Sequence, residues 1–100
     1  MSLRALARHL VCAALLATAG CNAHPATEAD CAAILDRIVE LELRESGFHD
    51  AVLIARRQAE LRRKLGGELR DCVGRRLPDT ALECVRRADS AEAISHRCLR

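Results

Sequence analysis

The sequence predicts a small all-α domain, and three observations support that class. Phe48 is the single aromatic residue among 100, so the core must be built from aliphatic side chains, which here are mostly leucine and alanine. Those residue types favour helices over sheets. After residue 27, apolar residues recur at spacings of three and four, the period of an amphipathic helix. The strict alternation typical of a half-buried strand does not occur.

The first 20 residues have the composition of an export signal. Arg4, Arg8 and His9 form a short basic leader, and Leu10 to Gly20 follow as an apolar run. A bilayer span needs about 20 apolar residues, so this run is too short for a transmembrane helix and is typical of a signal peptide. Without the leader's two arginines, the chain has 14 basic and 14 acidic residues, a balance that predicts no binding to nucleic acid.

The apolar run ends in Thr18-Ala19-Gly20-Cys21, which resembles the signal of bacterial lipoproteins. In that family two small residues precede an invariant cysteine, and Thr18 stands where leucine is usual. The resemblance, which covers about a fifth of the chain, implies removal of residues 1–20 and lipidation of Cys21. In a cell with two membranes it also implies the periplasmic face of the outer membrane, because Asn22 is not the aspartate that retains such proteins at the inner membrane.

Two alternatives to lipidation stay open. Ordinary secretory cleavage after Ala19 would leave Cys21 as a free or paired thiol in a soluble secreted protein, and the chain could also remain unexported. Under the lipoprotein interpretation, residues 21–27 are a lipidated N-terminus with a short polar linker, and residues 28–100 are the helical domain. A linker of six extended residues reaches only about 20 Å, so the domain is expected to lie against the membrane.

A first helix is predicted from Thr27 to about Ser46. Thr27 and Asp30 have the spacing of a capping box, and Gly47 supplies a stop. The helix is mostly acidic on its polar side. Its apolar stripe comprises Cys31, Ile34, Leu35, Ile38 and Leu41.

A second helix is predicted over about residues 51–73, with Asp50 as its cap. Gly66 and Gly67 predict a bend or a close helix contact within it. This helix is mostly basic, so it is expected to pair antiparallel with the acidic first helix.

A shorter helical pair is predicted beyond a break at residues 74–78. Asp79 is expected to cap a third helix over about residues 80–88, and Asp89 with Glu92 to form a capping box for a fourth that reaches nearly to Arg100. The predicted architecture is a long antiparallel helical hairpin closed by a short helical hairpin.

Cysteine usage predicts two disulfides. Cys12 is lost with the leader, and Cys21 is assigned to lipid. An even number of cysteines in an exported chain indicates disulfide bonding. The four that remain are Cys31, Cys72, Cys84 and Cys98.

Helix lengths rank the three possible pairings. Counted from the turn at Phe48 with a helical rise of about 1.5 Å per residue, Cys31 and Cys72 lie at heights that differ by about 10 Å, more than a disulfide allows. The preferred prediction is therefore Cys31–Cys84 with Cys72–Cys98, which staples the short hairpin to the long one.

Catalytic and metal sites are not predicted. Ser46, His49 and Asp50 are close in sequence, but a hydrolase site needs a scaffold such as a Gly-x-Ser-x-Gly elbow, which is absent, so a turn with a helix cap is favoured. His96 and Cys98 could belong to a zinc site, yet no Cys-x-x-Cys pair accompanies them. We expect no cofactor.

Four further features have a structural and a functional interpretation, and the structural one is favoured for each. His24 and His96 are expected to be solvated. The run 62–64 (Arg-Arg-Lys) is expected to face the acidic helix and not lipid headgroups. Phe48 is expected to pack on the core, although it could be an exposed anchor for a partner.

Three functions are compatible with this sequence. The favoured one is a non-enzymatic interaction or structural module, held at the membrane by its lipid and bound to an envelope protein. The others are a pilotin-like accessory of an export apparatus, similar only in general plan, and a binder of a small ligand or metal. The mature chain also resembles small four-cysteine helical envelope lipoproteins of unknown function, which implies no activity. Partner identity and oligomeric state are not predicted.

Overall fold

The computed structural model describes residues 22–100. Within this range the chain is mostly helical, with a two-stranded sheet. The predicted helical content and the presence of two disulfides are confirmed, whereas the sheet corrects the all-α class. The elements are β1 (Ala23–Pro25), α1 (Glu28–Glu45), α2 (Ala51–Lys64), α3 (Gly66–Cys72), β2 (Arg76–Pro78), α4 (Ala81–Arg87), α5 (Ala91–Ala93) and a π-helix (Ile94–Cys98).

Helix α1 begins and ends where the sequence predicts. The Thr27 hydroxyl accepts a hydrogen bond from the Asp30 amide at 3.0 Å, and the Thr27 amide donates to the Asp30 carboxylate at 3.0 Å. These two bonds form a capping box, which satisfies amides that the first turn leaves unpaired. At the other end Gly47 adopts a φ of 92°, a left-handed conformation that glycine reaches without steric cost.

Helix α1 is the element on which the others pack. It contacts α2, α3, α4 and α5. The main core lies between α1, β2 and the C-terminal helices, and Ile94 at its centre is fully buried. Val39 on α1 and Ile54 on α2 are also buried, but outside this main cluster. The apolar face of α1 is therefore divided between two groups of neighbours.

Arg37 joins α1 to the C-terminal end of α4. Its guanidinium donates to the carbonyl oxygens of Val85, Arg86 and Ala88 at 3.3, 3.1 and 2.9 Å, and it also pairs with Glu40. The last carbonyls of a helix have no partner within the helix, and a cation near them also interacts favourably with the helix dipole. Arg37 thus acts as a C-terminal cap supplied from another helix.

The predicted second helix is in fact two helices. Helix α2 ends at Lys64, and Leu65 leaves helical geometry with φ −99° and ψ 28° before α3 begins. The glycines predicted a bend here, and the interruption is found one residue earlier, with Gly66 and Gly67 forming the first turn of α3. A Cβ atom at Gly66 would lie 3.4 Å from the Arg70 side chain, so glycine leaves room for that guanidinium.

Residues 23–25 form a strand and not the predicted linker. Strand β1 pairs antiparallel with β2, placing Ala23 opposite Pro78 and His24 opposite Leu77. Both strands end in an X-Pro pair, and proline disfavours the helical region for the residue before it. Beyond the strand, Ala26 is buried and donates from its amide to the Arg75 carbonyl at 2.7 Å. The folded domain therefore already includes residues 22–26.

The caps of the two C-terminal helices differ from those predicted. Thr80 precedes α4 without any side-chain cap, and Asp79 is engaged elsewhere. Helix α5 is capped by Ser90, whose hydroxyl accepts from the Ala93 amide at 3.0 Å, and not by Asp89. The chain then widens into the π-helix, where the Leu99 amide donates to the carbonyl five residues earlier.

The disulfides are Cys31–Cys72 and Cys84–Cys98. The predicted pairs Cys31–Cys84 and Cys72–Cys98 are therefore wrong. That prediction assumed a single straight second helix, which would carry Cys72 past the level of Cys31. Because the helix is interrupted at Leu65, α3 packs against α1 instead, and the two Cα atoms lie 6.1 Å apart. Cys84 and Cys98 then pair with each other at a Cα separation of 5.4 Å.

Candidate functional site

The candidate site is the end of the domain at which the chain enters it. Cys21, the predicted lipidation site, lies outside the described residues. The next residue, Asn22, is already held in place, since its carbonyl accepts a hydrogen bond from the Asp79 amide at 2.9 Å. The described chain therefore enters the fold beside Asp79, two residues before α4.

His24 joins this entry strand to two other parts of the fold. Its Nδ1 lies 2.7 Å from Oδ1 of Asp79, and its Nε2 lies 3.1 Å from Oδ2 of Asp30. Asp79 follows β2, and Asp30 belongs to the capping box of α1. The His24 side chain is 37% exposed, in keeping with the predicted solvation, but β1 folds against the domain and brings the ring between two carboxylates, a contact that the sequence does not predict.

The charges of this cluster support one another. Hydrogen bonds to Asp79 and then Asp30 raise the pKa of His24 above its ordinary value of 6.5. The backbone amide of Thr27, followed by the His24 side chain, lowers the pKa of Asp30. Both pKa shifts favour the charged forms, an imidazolium between carboxylates. They arise from hydrogen bonding, which outweighs the opposing effect of burial.

A surface cavity of about 400 Å³ opens beside the same sheet. Its apolar lining includes Ala26, Ile34, Leu77 and Leu99. Acidic and basic side chains from α3 and the start of β2 share the lining. Its volume falls within the range of small-ligand sites, about 300–1,000 Å³.

The opposite end of α1 carries the tip, defined here as residues 46–57. Asp50 caps α2 through its carboxylate, which accepts from the Val52 amide at 2.9 Å, as the sequence predicts. Phe48 is 51% exposed, so the expectation that it packs on the core is wrong. Val52 and Leu53 are also exposed, at 66% and 39%. The tip therefore presents three large apolar side chains to solvent.

Two of the three residues in the basic run 62–64, at the end of α2, form ion pairs. Arg62 reaches Asp36 on α1 at 2.5 Å, an ion pair between the two helices. Lys64 pairs with Glu60 on its own helix at 2.9 Å. The predicted contact with the acidic helix is confirmed for Arg62, whereas Lys64 turns to its own helix.

The C-terminal histidine and cysteine do not come together as a metal site. His96 is mostly exposed and lies 3.8 Å from Glu92, while Cys98 is bonded to Cys84. Across residues 22–100 no group of three or more His, Cys, Asp or Glu side chains is arranged so that it could hold a metal ion. In the same range, no helix has the length and apolar character needed to cross a membrane.

Comparison with protein families, with curated proteins and with solved structures gave no match for this chain. The candidate site is therefore defined by its own contacts. Sequence reasoning missed His24 because its two partners are 6 and 55 residues away. The available signal was the His24-Pro25 pair, since a residue before proline favours extended structure.

Proposed function

We propose that this chain is a lipid-anchored protein of the bacterial cell envelope, whose helical domain binds or supports an envelope protein without catalysing a reaction. The leader that ends at Cys21 supports export and lipidation. The observation that carries the proposal is the hydrogen bond from the Asp79 amide to the Asn22 carbonyl, because it ties the residue next to Cys21 into the fold. A lipid on Cys21 would hold the domain directly at the membrane surface.

The domain is proposed to act as two helical hairpins. Helices α1 and α2 pack together around the short connection 46–50 and form the long one, and α4 with the α5–π segment forms the short one. An α1 of 18 residues extends about 27 Å, so the tip stands well away from the anchored strand. Exposed apolar side chains at such a position favour contact with a protein over contact with the bilayer.

A small-ligand binder is the second candidate function, supported by the cavity of about 400 Å³ beside the sheet. The cavity combines an apolar lining with charged groups, the combination that small-molecule sites use. A pilotin-like role in an export apparatus is a special case of the interaction proposal, with an export component as the partner.

Lipidation is tested with two cysteine variants of the full-length chain. Cells are labelled with a radioactive fatty acid and fractionated after expression of the wild type, Cys21→Ser or Cys12→Ser. We expect labelled, membrane-bound protein from the wild type and from Cys12→Ser, because Cys12 leaves with the leader. Cys21→Ser should carry no label and remain unprocessed. Equal labelling of all three proteins, or of none, would contradict lipidation at Cys21.

The interaction is tested by cross-linking in intact cells, followed by non-reducing affinity purification of the wild type and of Phe48→Ser. An envelope protein recovered with the wild type and lost with Phe48→Ser would support binding through the tip. Ala55→Ser, an exposed change in the same segment, is the matched control and should retain the partner. Recovery of no specific envelope protein by the wild type would count against an interaction role.

A further inference from the structure

His24 holds the first strand to the domain through two side-chain bonds. One reaches Asp79 after β2, and the other reaches Asp30 on α1. Strand β1 has only three residues, and it directly follows the predicted lipid attachment point. A change in these two bonds would therefore act on the segment that connects the anchor to the fold.

Both bonds exist together in only one protonation state of the ring. A carboxylate accepts hydrogen bonds and donates none, so each ring nitrogen must carry a proton to bond its aspartate. Neutral imidazole has a single N–H group and can serve only one carboxylate, whereas imidazolium serves both. Loss of one proton thus removes one bond and leaves a carboxylate facing a nitrogen lone pair.

We propose that His24 is a proton-dependent latch for strand β1. The imidazolium form fastens β1 to Asp79 and Asp30, and the neutral form releases it. The functional consequence rests on the proposed lipidation of Cys21. When β1 is fastened, the domain is held against the membrane. When it is released, residues 22–25 become a tether that reaches about 13 Å, and the domain can move away from the surface.

The charged groups around His24 determine the direction of the switch. Asp79 and Asp30 face the ring, while on the β2 side Arg75 directs its guanidinium to the Asp71 carbonyl and Arg76 lies opposite Pro25. Because the pKa of His24 is raised in the folded state, the latch is fully closed below the ordinary value of 6.5. Its contribution is lost as the pH rises through the raised pKa.

Release of the latch leaves the rest of the fold in place. The Ala26 carbonyl accepts from the Gly74 amide at 2.8 Å, and the side chain of Ala26 is buried in the main core. These contacts do not titrate, and both disulfides lie elsewhere in the chain. Opening should therefore be confined to residues 22–25, with the helices unchanged.

The test uses the purified protein in nanodiscs that contain a gadolinium-chelating lipid, between about pH 5 and about pH 9. The first readout is the hydrogen-exchange protection factor of the Asp79 amide, which is bonded to Asn22. The second is paramagnetic broadening of the amides in the first turn of α1. We expect both to fall several-fold as the pH rises in the wild type, and to be independent of pH in His24→Gln.

Two further variants sharpen the result. Asp79→Asn removes one carboxylate but keeps an acceptor, so the loss of protection should move to lower pH. Asp30 is left unchanged because it also caps α1. His96→Gln replaces a histidine outside the cluster and should behave as the wild type.

Each failure has its own signature. Protection of Asp79 that is independent of pH in the wild type would overturn the latch. If the Asp79 amide loses protection while the paramagnetic broadening in α1 stays the same, the domain does not move away from the membrane. That result would overturn the proposed tether. A purified protein whose mass shows no acyl group would refute the proposed lipidation, while hydrogen exchange on the same sample would still test the latch.

Discussion

The two ends of this domain are stabilised in different ways. The base, which comprises the sheet, the first half of α1 and helices α3 to α5 with the π-helix, contains both disulfides and most of the buried core. In the tip, Ile54 is the one buried residue among positions 46–57. A region with few buried contacts opens locally at low cost. Under the proposed function, the base would be the rigid attachment and the tip the adaptable contact surface.

The largest expected effect is at the base, from removal of Cys31–Cys72. This disulfide links residues 41 apart, whereas Cys84–Cys98 links residues 14 apart. A longer closed loop restricts the unfolded chain more, so the double alanine variants should lose about 4 and about 3 kcal/mol of unfolding free energy, respectively.

Urea denaturation of both double variants measures this difference, and peptide mapping under non-reducing conditions checks the pairing directly. A fragment joining Cys31 to Cys84 would contradict the structure. A greater loss for the shorter loop would show that restriction of the unfolded chain does not dominate.

A smaller effect is expected at the tip, from Ile54→Ala. Ile54 is 4% exposed and is the buried side chain of α2. Its truncation should cost about 2–3 kcal/mol, toward the low end for a buried isoleucine because the exposed tip can relax around the space. Val52→Ala, at a position 66% exposed, is the matched control and should change stability by less than about 0.5 kcal/mol.

Hydrogen exchange shows which helices lose stability in the Ile54→Ala variant. Amides of α2 should lose protection, while amides of α4 keep theirs. Equal loss of protection in both helices would show that the tip and base unfold together, and would remove the distinction between them.

Features that depend on neighbours in sequence were predictable. Thr27, Gly47 and Asp50 act within one helical turn, and a capping residue needs only the amides that follow it. The end caps of α1 and the start of α2 were accordingly predicted correctly. Asp79 is the instructive failure, because His24 competes for its carboxylate from 55 residues away.

Features that depend on helix direction were not predictable. The backbone leaves helical geometry at Leu65, where ψ is 28°. This interruption decides whether Cys72 extends beyond the level of Cys31 or lies beside it. Glycines predicted an interruption nearby, but no local rule gives the angle between the helices that it separates. The disulfide pairing followed from that angle.

The smallest predicted effects compare two glycines and have opposite signs. Gly47, at the tip, has a φ of 92° and open space around its Cα, so Gly47→Ala meets backbone strain alone and should cost about 1 kcal/mol. Gly67, at the base, lies in helix α3, where an added Cβ would meet only the end of the Arg70 side chain at 3.9 Å. Gly67→Ala should therefore stabilise the protein by about 0.5 kcal/mol, because alanine reduces the freedom of the unfolded chain.

Thermal unfolding of the two glycine variants beside the wild type measures both changes in stability, and their signs, in one experiment. Stabilisation by Gly47→Ala would contradict the left-handed turn at the tip. Destabilisation by Gly67→Ala would show that α3 needs its glycine for a contact with Arg70 closer than the structure shows. A lower melting temperature for Gly47→Ala and a higher one for Gly67→Ala would support both conclusions. The turn at the tip requires glycine, whereas helix α3 in the base accepts a side chain.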